Sequence, residues 1–179
     1  MENDNAPDTL VLFTKLGSMR MIFSSSTEYA IRGLSELACR DPDGPLMLDQ
    51  LVAGTDLPRD FLAKVFQKLV HGGVLRSAKG RGGGFTLARP SHEITLMHIV
   101  EAIDGPQVFD ACVVGLERCD DLMPCPQHDL YKPIRQRLKD YLATTTLADL
   151  AASLKAKITW IQMQQMAPGD ASGDSKPQK

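Results

Sequence analysis

The stretch LPRDFLAKVFQKLVHGGVLRSAKGRGGGFTLAR, residues 57–89, decides the fold. Pro58 sits in the first turn of a helix, where its missing N–H costs nothing. Phe61, Leu62, Val65, Phe66 and Leu69 then recur as one apolar stripe at helical period. Arg59, Lys64, Gln67, Lys68 and His71 take the opposite face, and Gly72-Gly73 stops the helix. Val74 to Lys79 and Phe85 to Arg89 read as strands joined by Gly80-Arg81-Gly82-Gly83-Gly84. A helix with a basic face followed by a glycine-tipped hairpin is the reading end of a winged helix-turn-helix. The glycine run is no phosphate cradle, because no Lys-Ser/Thr follows it and no helix opens after it.

Working outward, Ser25 and Glu28 fit a capping box that opens a helix with Ile31, Leu34 and Ala38 inward. Asp41-Pro42-Asp43-Gly44-Pro45 ends it as a turn, and a short helix from Leu48 to Ala53 closes at Gly54. Beyond the wing, Thr95 to Ile103 reads as an amphipathic helix with Leu96, Ile99, Val100 and Ile103 inward, broken by Gly105-Pro106. Residues 112–128 have no periodicity and form a loop. Leu130 to Ala143 is a longer helix with Ile134, Leu138, Tyr141 and Leu142 on one side, and Leu147, Leu150 and Leu154 mark a short last helix.

The fold class is therefore mainly α (α+β): a winged helix-turn-helix with a two-stranded wing and a long C-terminal helix. The expected division is an N-terminal extension at 1–20 and the winged domain at 21–105. A cysteine loop at 106–128, two C-terminal helices at 129–156 and a disordered tail at 157–179 follow. Met1, Met19 and Met21 would each serve as a start.

The chain carries a net charge of −2, yet residues 59–89 alone carry +6, so the remainder is −8. A basic surface on an acidic protein suits phosphate contact without indiscriminate binding. The residues placed for DNA are Arg59, Lys64, Gln67 and Lys68 in the major groove, with Lys79, Arg81, Gly82 and Gly83 at the wing. No run approaches a membrane span and no secretory signal opens the chain, so a cytoplasmic location is expected. There thiols stay reduced, and clustered cysteines point to metal or redox chemistry.

Cys112, Cys119, Cys125 and His128 fall within seventeen residues and form such a cluster. Three soft thiolates suit iron–sulfur or zinc and need a fourth ligand. Cys39 stands alone at the end of the first helix, as a buried structural thiol. A cysteine nucleophile, Cys125 activated by His128, finds no orienting Asn or Asp and no oxyanion motif, so the chain is read as no enzyme.

Four segments carry a family likeness: Ser24-x-x-x-Glu28-Tyr29-Ala30, Leu57-Pro58-Arg59-Asp60-Phe61-Leu62, Lys79-Gly80-Arg81-Gly82-Gly83-Gly84-Phe85, and the three-cysteine loop. From about Met21 to Leu154 the chain resembles the Rrf2 family of bacterial winged-helix transcription regulators, the group with IscR-type and NsrR-type members. The resemblance implies a homodimer on a palindromic DNA site, joined through Ile134, Leu138, Tyr141 and Leu142. It also implies an iron–sulfur cluster on Cys112, Cys119 and Cys125, two-iron before four-iron, that senses iron–sulfur status, nitric oxide or redox state. His128 is the fourth ligand by one branch of the family, and Glu28 of the partner subunit by another. Six residues separate Cys112 from Cys119 where cluster-binding relatives have five, which leaves the coordination open. The alternatives are zinc on the same residues, cluster-free thiol sensing, or a metal-stabilised protein-interaction module.

Overall fold

The computed structural model describes residues 23–40, 44–110, 112–114 and 121–166. The extension at 1–20 and Cys119 lie outside them. Helix α1, Ser25–Arg40, is the central post. Its cap is Ser24, whose Oγ accepts from the Thr27 amide at 3.2 Å, so the Ser25–Glu28 capping box is corrected by one residue. What selects Ser24 is tertiary: its amide and hydroxyl donate to the Asp104 carboxylate at 3.3 and 2.6 Å, and the Thr27 hydroxyl adds a third bond at 2.8 Å.

Helix α2, Leu48–Val52, is one turn long. The Arg40 guanidinium, from the last turn of α1, donates to the carbonyls of Gln50, Leu51 and Ala53. That charge satisfies C-terminal carbonyls which a helix cannot bond internally. Helix α3, Arg59–His71, buries Leu62, Val65, Phe66 and Leu69, with Pro58 as its cap rather than in its first turn. Phe61 leaves the expected stripe: it is 37% exposed and meets the Tyr29 ring edge-on at 5.1 Å.

Strands β1, Leu75–Ala78, and β2, Gly84–Leu87, pair antiparallel with Leu75 opposite Leu87 and Ala78 opposite Gly84. The other edge of β2 is occupied by Leu46, which exchanges two backbone bonds with Phe85 at 3.0 and 2.9 Å. Glycine is required at 84: φ is +150° and a Cβ there would lie 2.3 Å from the Leu46 carbonyl oxygen.

Helix α4, Leu96–Asp104, buries Leu96, Ile99, Val100 and Ile103. Helices α5, His128–Thr144, and α6, Leu147–Met166, complete the fold. The short last helix and the tail from 157 are corrected, since α6 is helical through Met166. Residues 167–179 of that tail lie outside the described residues. The joint between α5 and α6 is tied to the start of α4 by Leu96 N–H to Thr145 O at 3.0 Å and Leu147 N–H to Ile94 O at 2.7 Å. Helix α6 packs along α1, where the Cys39 thiol donates to the Ala151 carbonyl at 3.5 Å.

Leu142 is fully buried in this chain's own core, so it is not available to a partner subunit. Leu142→Ala should lower the unfolding free energy by about 2–5 kcal/mol. The loss should be the same in dilute and concentrated protein, measured by urea titration.

The cap of α4 is reciprocal. The Thr95 amide donates to His98 Nδ1 at 3.0 Å, while the His98 amide donates to Thr95 Oγ1 at 3.3 Å. Nδ1 must be unprotonated to accept. Burial, then the Arg89 guanidinium, holds the His98 pKa below the ordinary histidine value, against a smaller upward pull from Glu101. The unfolded chain thus takes up this proton at higher pH than the folded one. The stability it contributes is whole above about pH 6.5 and is lost as pH falls through the lowered folded value. His98→Gln, which keeps the acceptor without titrating, should flatten that part of the stability–pH curve.

Candidate functional site

Two groups of residues matter, one at the head of α5 and one along α3 and the wing. At the first, Cys112 lies just beyond the short 3-10 turn Pro106–Phe109 that follows α4, and Cys125 three residues before α5. Their sulfurs stand 3.5 Å apart and no disulfide joins them. Cys112 is 7% exposed and Cys125 half-buried. His128, the first residue of α5, is 4% exposed, and its amide donates to the Cys125 carbonyl at 2.9 Å.

His128 Nε2 meets Asp121 Oδ1 at 2.6 Å, and Lys132 Nζ donates to both Asp121 oxygens at 2.7 and 2.8 Å. The Lys132 ammonium first, and His128 second, hold the Asp121 carboxyl below the usual carboxylate range. An ionised carboxylate only accepts, so His128 Nε2 is the donor of this bond. Metal-binding histidines are oriented in this way, by a carboxylate on the opposite nitrogen. Asp121 was not singled out in the sequence, although the spacing of His128 and Lys132, four apart on one helix face, could have pointed to a shared partner.

Among the described residues no three His, Cys, Asp or Glu side chains converge on one point. The structure brings Cys112 and Cys125 together; Glu28 is exposed on the first turn of α1.

At the second group, Lys64, Gln67 and Lys68 are exposed along α3, and Lys79, Arg81 and Gly82 at the wing. Gly82 takes φ +79°, a conformation a tight tip requires. Gly83 is buried, and a Cβ there would lie 2.4 Å from the Ala78 carbonyl oxygen, so it closes the hairpin and is no contact residue. Arg59 is already paired, with Asp49 of α2 and with Asp60 at 3.2 Å. That hydrogen-bonded guanidinium holds the Asp49 carboxyl below its ordinary value. Phe61, exposed beside this basic face, is the residue that apolar periodicity misassigned.

Residues 23–153 match the family described as "Rrf2: Iron-dependent Transcriptional regulator". The chain belongs to the Rrf2 family. It is 32% identical over 132 residues to an HTH-type transcriptional regulator of Aquifex aeolicus, an alignment spanning 73% of this chain and 91% of that one. It is 27% identical over 130 residues to the HTH-type transcriptional regulator IscR of Pectobacterium carotovorum, covering 73% and 79%. Among solved structures it is similar to CymR, the global cysteine regulator of B. subtilis, with TM-score 0.62 and 29% identity over 73% of this chain and 96% of that one. The chain is thus a winged-helix transcriptional regulator and not an enzyme. No described helix is long and apolar enough to cross a membrane.

In a DNA-binding family, the Arg59–Asp49 pair would restrain one cation of α3. Asp49→Asn and Asp60→Asn together should free Arg59 of both carboxylates and strengthen binding to any duplex several-fold at low salt, adding about one counterion to the salt dependence. Fluorescence anisotropy against wild type measures this, and unchanged affinity would remove Arg59 from the DNA surface.

Proposed function

We propose that the chain is a homodimeric, cytoplasmic DNA-binding regulator whose cysteine loop holds an iron–sulfur cluster, two-iron rather than four-iron. The observation that carries this reading is the Cys112–Cys125 pair, with sulfurs 3.5 Å apart, in a loop that runs into buried His128 at the head of α5. Two thiolates at about 2.3 Å from one tetrahedral metal stand roughly 3.8 Å apart, so the donor pair fits a metal with little movement. Cys119 is the third thiolate of the proposal and His128 Nδ1 the fourth ligand, with Glu28 of the partner subunit as the alternative. Bound there, a cluster supplies a centre whose charge changes with oxidation and whose loss frees the thiolates, suiting it to iron–sulfur status, nitric oxide or redox state.

The chain's own residues supply the rest. Lys64, Gln67 and Lys68 enter the major groove, while Lys79, Arg81 and Gly82 reach the minor groove or backbone. Leu130, Ile134 and Tyr141, exposed along one side of α5, with half-buried Leu138, form the face for a second copy; Ile134 is 61% exposed. Two-fold symmetry then calls for a palindromic operator with half-sites about one helical turn apart.

Anaerobic purification with iron, sulfide and zinc analysis and a visible spectrum tests the cluster. Equal iron and inorganic sulfide, both lost in Cys119→Ser, is the expected result; colourless zinc protein with undiminished DNA affinity overturns it. Lys64→Ala and Lys68→Ala should each reduce the slope of log affinity against log salt by about 1 if they contact phosphates.

A further inference from the structure

The loop also holds the parts of a covalent modification site, and this inference rests on the same thiols as the cluster proposal. We propose that, in the metal-free chain, Cys112 and Cys125 are oxidised to an intrachain disulfide by a small disulfide such as glutathione disulfide. The geometry is the argument. Sulfurs 3.5 Å apart need close by only about 1.5 Å to reach bonding distance. The two thiols differ in access in the way a two-step exchange requires, Cys125 being half-exposed and Cys112 buried.

The exchange balances. The Cys125 thiolate attacks one sulfur of glutathione disulfide; the new S–S bond forms, the old one breaks, and one glutathione leaves as thiolate and takes up a proton. Cys112, out of reach of the large reagent, then attacks Cys125 Sγ as its thiolate and expels the second glutathione. Two protein thiols have lost two electrons and two protons, and glutathione disulfide has become two glutathiones. The product removes both thiolates from the ligand set, so the oxidised and metal-loaded states exclude one another. Cys39 is no competitor: its thiol donates to the Ala151 carbonyl, and burial, then Glu36, pushes its pKa up.

The test treats the full chain, stripped of metal by chelation without air, with glutathione disulfide and maps the products by non-reducing digestion and tandem mass spectrometry. The expected product links Cys112 to Cys125, lighter than the reduced pair by two hydrogens. It should persist in Cys119→Ser and Cys39→Ser, disappear in Cys125→Ser, and be suppressed when the chain is first reloaded with zinc alone. A bond from Cys112 to Cys119, or a stable glutathione adduct on Cys125 beside reduced Cys112, overturns the proposal. The mapping on wild-type protein needs no variant to fold. It is also separable from the cluster reading, which fails or stands on iron and sulfide in the untreated protein.

Discussion

The arrangement of the winged helix depends on the absence of a side chain at one helical position. A Cβ at Gly33 would lie 2.8 Å from Phe66 Cε1 and 2.9 Å from Leu62 Cδ1, so α1 and α3 cross closely only because residue 33 has none. Glycine inside a helix costs about 1 kcal/mol against alanine. Burying a phenylalanine returns about 1.5–3 kcal/mol, and the Phe66 ring seated there is fully buried. The same ring meets Phe85 of β2 edge-on at 5.1 Å, and Phe85 in turn pairs with Leu46 through its backbone. Helix α3 and the wing beside it are therefore held by one contact chain from Gly33.

How much of this was legible follows the same physics. The α3 stripe and the glycine-tipped hairpin could be read because local period and turn chemistry agree with the tertiary result. Ser24 and Ser25 could not be told apart locally, because the choice is made by Asp104, eighty positions away. Phe61 and Leu142 fail for opposite reasons at the edges of their stripes. Periodicity gives an apolar face its direction but not its width, so Phe61 ends against Tyr29 at the surface while Leu142 turns into the core. Helix α6 outran its expected end because Leu147, Leu150 and Leu154 were read as a complete packing face. The alanine, lysine and glutamine that follow are good helix formers, and they continue the helix past that face.

At the cysteine loop, spacing alone named the thiols and His128, since few residue types offer soft or imidazole donors. It could not name Asp121. The loop and the first turn of α5 carry Asp110, Glu117, Asp120, Asp121 and Asp129, and only the α5 register, with His128 and Lys132 on one face, distinguishes among them.

Both ends of that loop are anchored, which bears on how an event at the thiols could reach DNA. On entry, Asp104 accepts three hydrogen bonds from the first turn of α1, and Phe109 is buried in the core beneath the Lys139 ammonium of α5. On exit, His128 is the first residue of α5, fixed through Asp121 and Lys132. The entry end leads within one turn to Tyr29, whose ring packs on Phe61 at the start of α3, while the exit end is the helix carrying the exposed Leu130, Ile134 and Tyr141. The two anchors therefore lead to two places, the Tyr29–Phe61 contact at the start of α3 and the exposed side of α5. The first is held by buried contacts of α1, whereas Leu130, Ile134 and Tyr141 of the second lie open on the described surface.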